Sequence, residues 1–91
     1  MKVFIVNYAS TYGGELYTEF HHFEDRERAE ITFKEYCDNA AFDEFGEDFE
    51  GVDEYVAERT TEYSNGTRKR FSMKEGDYEV EVTFKEIIIG Q

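Results

Sequence analysis

The sequence predicts an α+β fold: an antiparallel sheet of about five strands in the order β-β-α-(α)-β-β-β, with one main helix packed on one face. Three observations predict it. A strand-like run opens the chain at residues 2–9, and a strictly alternating one occupies residues 78–88. Between them, residues 25–41 carry apolar positions at helical spacing. In the last third, Asn65-Gly66 is the favoured central pair of a type I′ hairpin turn.

Each element has its own reason. Residues 2–9 are rich in Val, Ile and Phe, which suit a pleated, half-buried surface. Residues 10–14 (Ser-Thr-Tyr-Gly-Gly) are expected to form a loop, because paired glycines reach positive φ without a side-chain clash. Residues 15–23 return as the second strand of a hairpin, with Leu16, Thr18 and Phe20 on one face and Tyr17 and Glu19 on the other. Asp25 is placed to cap a helix by accepting from a free N–H of its first turn. Ala29, Phe33, Tyr36, Cys37 and Ala40 then recur at i, i+4, i+7, i+8 and i+11, one face of that helix. Glu30 and Lys34 stand in the favourable order for an i,i+4 ion pair.

Residues 42–51 combine two glycines with dense carboxylates and are expected to be irregular, with Phe42, Phe45 and Phe49 packing down onto the body. Val52, Tyr55 and Val56 allow a short second helix. Residues 59–64 and 67–73 flank the Asn65-Gly66 turn. A two-residue loop sets Glu62 against Lys69 and Tyr63 against Arg68, the latter a cation–π opportunity. Glu75-Gly76-Asp77 turns the chain again. The final strand puts Tyr78, Val80, Val82, Phe84 and Ile88 on its apolar side.

Residues 1–91 are expected to form one domain, since a chain of this length buries roughly 60–65% of its unfolded surface. The nine Phe and seven Tyr supply much of the apolar area. A single cysteine, Cys37, excludes an intrachain disulfide and a multi-cysteine zinc cluster, and fits a reducing compartment. The apolar run before Asn7, Val3 to Val6, is only four residues long, too short for a signal-peptide core or a membrane span, so a cytoplasmic location is expected.

Charge is the informative property. Twenty-two acidic against ten basic residues give a net charge of −12. Such a field repels nucleic acid and anionic membranes and attracts cationic surfaces, so neither direct nucleic-acid binding nor membrane contact is expected.

No catalytic or metal site emerges. His21 and His22 are adjacent, and in a strand neighbouring side chains point to opposite faces, so the two imidazoles do not readily share an ion. Cys37 lies on the apolar stripe, the usual place for a small buried thiol, although a Cys–His pair could still meet in space. A calcium loop begun at Asp43 fails at its third and sixth positions, Phe45 and Asp48, although Glu54 falls at the twelfth. Gly13-Gly14 lacks the Lys-Ser/Thr of a phosphate loop. Arg68-Lys69-Arg70 is the one cationic spot, expected to face solvent and neutralise Glu62 and its neighbours. No cofactor is implied.

What remains is the distribution of acids. From Glu35 to Glu58 there are ten carboxylates and no Lys or Arg. The bland reading is a solvated face that confers solubility. Against it, a surface serving only solubility mixes its signs, because uninterrupted like charge costs stability. The candidate partner-binding residues are therefore Asp43, Glu44, Glu47, Asp48, Glu50, Asp53, Glu54 and Glu58, with Phe45, Phe49 and Tyr55 interleaved as aromatic anchors.

In its proportions and in the 35–58 charge run, the chain resembles small phage-encoded anti-defence proteins, including anti-CRISPR inhibitors and DNA mimics, and also acidic immunity proteins that neutralise nucleases. The resemblance implies a non-enzymatic inhibitor acting in a host cytoplasm, its carboxylates standing in for phosphates on the basic surface of a nucleic-acid-binding protein or complex. The alternative is an accessory or assembly protein that binds through a sheet edge or an aromatic patch. A small enzyme using His21 or His22 with Cys37 is a third reading.

Overall fold

The computed structural model describes residues 1–90, in which the alternating and helical patterns become seven elements. They are β1 (Lys2–Tyr12), β2 (Glu15–Phe23), α1 (Arg26–Phe45), α2 (Val52–Glu58), β3 (Thr60–Tyr63), β4 (Arg68–Glu75) and β5 (Tyr78–Ile88). The strands form one antiparallel sheet in the order β2-β1-β5-β4-β3. The architecture is α+β, with both helices on one face.

That face holds the core. Phe4 and Val6 of β1, Val80, Val82 and Phe84 of β5, and Phe71 and Met73 of β4 are buried against Ala29, Phe33, Cys37, Ala40 and Ala41 of α1. Phe84 sits at the centre, its ring centroid 6.1 Å from Phe4 and 6.3 Å from Phe33. The small residues Ala29, Cys37, Ala40 and Ala41 let the helix approach the sheet closely. Tyr55 and Val56 bring α2 into the same cluster. Glu79, Glu81, Thr83 and Lys85 alternate onto the opposite face, which no element covers among the described residues.

The structure departs from the sequence expectations at several boundaries. β1 runs on to Tyr12, so the first turn shrinks to Gly13-Gly14, with φ of 58° and 89°. Two glycines suffice for a two-residue hairpin, and Ser10, Thr11 and Tyr12 stay in the ladder opposite Tyr17, Leu16 and Glu15. Helix α1 continues through Phe45, four residues past the expected end, because nothing breaks the helix before Gly46. There the Gly46 N–H donates to the Phe42 carbonyl at 2.7 Å and the backbone turns to φ 100°. Asp25 caps the other end, accepting from the Glu27 N–H at 3.0 Å.

The second hairpin has the expected register, Glu62 opposite Lys69 and Tyr63 opposite Arg68. Asn65 and Gly66 have φ of 57° and 82°, and the Thr67 N–H closes the turn on the Ser64 carbonyl at 3.2 Å. The expected side-chain pairs do not form. Lys69 reaches across to Glu30 of α1 at 3.0 Å and lies over the Phe84 ring, so Glu30 is not paired with Lys34. Lys34 is held instead by Asp38 at 2.8 Å and Asp53 at 3.2 Å. Arg68 makes no cation–π contact with Tyr63 among the described residues; the cations that do cover rings are Arg26 and Lys69 on Phe84 and Arg59 on Tyr55. Ile88 keeps the parity of the apolar side but is exposed, lying at the end of β5 opposite Lys2.

Candidate functional site

The acidic segment is built from the last turn of α1, the turn at residues 46–51, and α2. Asp43, Glu44, Glu47, Asp48, Glu50, Asp53, Glu54 and Glu58 are all exposed. Two of the eight have cationic partners, Asp53 with Lys34 at 3.2 Å and Glu58 with Arg59 at 3.8 Å, and Asp43 accepts from the Tyr78 hydroxyl at 3.5 Å. Among the described residues, Asp43, Glu44, Glu47, Asp48, Glu50 and Glu54 make no ion pair within the chain.

Local electrostatics make the placement costly. Asp43 and Glu44 fall in the last turn of α1, which has no basic residue. Carboxylates there oppose the negative end of the helix dipole, at about 0.3–1 kcal/mol each. Asp53 and Glu54 sit in the first turn of α2, where the same dipole favours them. The C-terminal carbonyls of α2 are met by Arg59, which donates to the Tyr55 carbonyl at 3.2 Å, and by Thr60, which donates to the Val56 carbonyl at 2.7 Å.

The three aromatics form one cluster, with Phe45 4.9 Å from Phe49 and 5.0 Å from Tyr55 between ring centroids. Their availability differs. Phe45 is 43% exposed and Phe49 half-buried, whereas Tyr55 is 8% exposed. Tyr55, expected among the contact anchors, belongs to the core. Its hydroxyl donates to Glu75 at 2.8 Å, and the Arg59 guanidinium lies 3.6 Å over its ring. Burial, and then the Glu75 carboxylate, push its hydroxyl up to about 12. Its role is to anchor α2, and Phe45 is left as the accessible ring.

Next to α2, a cleft of about 370 Å³ is lined by Phe33, Val56 and Ala57 together with the ion pairs Lys34–Asp53 and Lys69–Glu30.

The histidines point to opposite faces, His21 paired with Val6 and His22 with Ile5. His21 Nε2 lies 2.7 Å from the Tyr36 hydroxyl and 3.2 Å from Glu19, which also accepts from Tyr36 at 2.7 Å and from Tyr17. This network was not visible in the sequence, because Tyr36 comes from α1. The hydrogen bonds from Tyr17, Tyr36 and His21 hold the Glu19 carboxyl down to about 2. Cys37 is fully buried, and burial pushes its thiol well above its ordinary value, which disfavours the thiolate.

Charge is divided between the two faces of the sheet. The uncovered face presents Arg68, Arg70, Lys74 and Lys85 against only Glu79 and Glu81. The remaining acids lie on the helical side, on edges or in turns. Sequence reasoning treated Arg68-Lys69-Arg70 as one cationic spot; the strand splits it, with Arg68 and Arg70 on the bare face and Lys69 beneath α1. No described helix is long and apolar enough to cross a membrane.

The fold and surface together define a two-layer α+β protein with a carboxylate-rich helical side. The chain matches no family model, no curated protein and no solved structure.

Proposed function

We propose that the protein is a non-catalytic binding inhibitor whose acidic helical side occupies the basic, nucleic-acid-binding surface of a partner protein or complex. The observation that carries this reading is the row of six exposed carboxylates from Asp43 to Glu54 that have no cationic partner among the described residues, with Phe45 exposed beside them. Unpaired like charge at the wrong end of a helix lowers stability, and a cationic partner offsets that cost on binding. Long-range attraction accelerates encounter, while Phe45, Phe49 and the cleft beside α2 supply contact area. Resemblance to small acidic anti-defence proteins narrows the partner to a phage-defence nuclease complex met in a bacterial cytoplasm.

The test reverses Glu47, Asp48, Glu50 and Asp53 to Lys. Wild-type protein on a resin is expected to retain a nucleic-acid-binding protein from a bacterial lysate and to release it at moderate salt. The reversed variant, with an unchanged circular dichroism spectrum, is expected to retain none. Equal retention by the two proteins refutes the proposal. A second reading, an assembly protein that binds through a sheet edge, draws on the bare outer edge of β2.

A further inference from the structure

The two edges of the sheet are finished differently. β3 is four residues long, and its turn is tied down by Arg26, whose guanidinium donates to the Gly66 carbonyl at 2.8 Å and to Glu86 at 3.1 Å. β2 is nine residues long, about 30 Å at an ordinary strand rise. It contains no Lys, Arg or Pro, and its ladder to β1 is unbroken from Phe4↔Phe23 to Tyr12↔Glu15, without a bulge. Lys, Pro and bulges are devices by which natural edge strands block further pairing, and β2 lacks all three; its only charged side chains are the carboxylates Glu15 and Glu19, on the face that carries the helices. Its outward side chains Leu16 and Phe20 are 70% and 61% exposed on the uncovered face, opposite Thr11 and Asn7 of β1. A long flat edge with an exposed apolar flank is a template for another strand.

We infer that this edge is occupied by a second copy of the chain, β2 pairing antiparallel with β2 about a two-fold axis to give a continuous ten-stranded sheet. Self-complementarity favours this occupant. Full overlap would set Glu19 against Glu19 of the second copy. A shift that centres the axis on Phe20 sets Glu19 against His21 and Phe20 against Phe20. Centring on Thr18 sets Glu15 against His21 and Leu16 against Phe20. Both registers bury Phe20 on an apolar residue and replace the like-charge contact. The acids of α2 lie beside β3 and β4, at the far edge from β2, whereas Asp43 and Glu44 lie nearer, against Tyr12 of β1 and Tyr78 of β5. A two-fold interface of this kind is closed and adds no further copies.

The experiment is sedimentation equilibrium of the whole chain over a concentration series reaching the millimolar range, with amide hydrogen exchange at both ends of the series. The expected mass rises from 10.8 kDa to twice that value and stops there, with β2 amides slowing as it does. Phe20→Lys, at an exposed position, is expected to keep the monomer's circular dichroism and to stay at 10.8 kDa throughout. The quadruple lysine reversal on the acidic segment is expected to dimerise as the wild type does, which separates this surface from the inhibitor surface. Wild-type protein that remains monomeric, a mass that climbs past the dimer, or a Phe20→Lys variant that dimerises normally each overturns the inference.

Discussion

The two faces of this sheet are made by the same strands and have opposite characters. On β5, Val80, Val82 and Phe84 are buried beneath α1, while Glu79, Glu81, Thr83 and Lys85, one residue out of phase, meet solvent. The covered face places its cations over rings and against carboxylates: Lys69 on Phe84 and Glu30, Arg26 on Phe84 and Glu86. On the bare face Lys85 stands directly opposite Arg68, like against like, in a molecule with an excess of acids to spare. One side has been arranged for stability. The other keeps its positive charge despite a local cost, just as the last turn of α1 keeps its negative charge.

The strongest way to sharpen this contrast is to empty the covered face. Phe84→Ala should cost about 3–5 kcal/mol, measured by urea denaturation, because the ring meets Phe4 and Phe33 and carries two cations above it. A loss under 1 kcal/mol would break the comparison. On the bare face the sign should reverse. Lys85→Glu replaces a like-charge cross-strand pair with an opposite one, and should stabilise by about 0.2–1 kcal/mol in low salt, fading as salt is added.

The smallest effect expected lies at the rim between the two faces. Glu19 has its carboxyl held at about 2, against an ordinary 4.5, by hydrogen bonds from Tyr17, Tyr36 and His21. A depressed carboxylate contributes stability that is complete above pH 4.5 and is lost as pH falls from there toward 2. The stability difference between wild type and Glu19→Gln should therefore shrink across that window. Using the difference removes the general relief of self-repulsion that acid brings to a chain of charge −12. A difference that stays constant from neutral pH to pH 2 would show that the tyrosine bonds do not hold the charge.

Local chemistry made much of the fold legible. Strict alternation marked β5, Asn65-Gly66 marked the second hairpin with its register, and the spacing from Ala29 to Ala40 marked the buried face of α1. Boundaries were missed where local cues conflict: acidic composition argued for a loop at residues 42–45, yet only Gly46 has the backbone freedom to stop the helix. Ion pairs were the least legible. Glu30, Lys34 and Lys69 are each assigned a partner by sequence spacing, yet Glu30 and Lys69 meet between helix and sheet and Lys34 pairs with Asp38 one turn on and with Asp53 of α2, because long side chains answer to tertiary position. For the candidate site, exposure of the carboxylates followed from their composition. The burial of Tyr55 did not, since its spacing with Val52 and Val56 indicates an apolar stripe without saying how deep that stripe lies. The bare edge of β2 could not be read at all, because strand order is not local information.

One feature of the topology bears on how the chain reaches this state. β1 pairs along its length with β5, the middle strand, so the two are joined only after nearly all the intervening chain has been made. The β1–β2 hairpin can close early and locally, but its inner edge stays open until β5 arrives. Such non-local closure slows folding and lengthens the life of a two-edged hairpin. Lesions in β5 are therefore expected to surface first as misassembly during synthesis, before any weakening of the finished protein is felt.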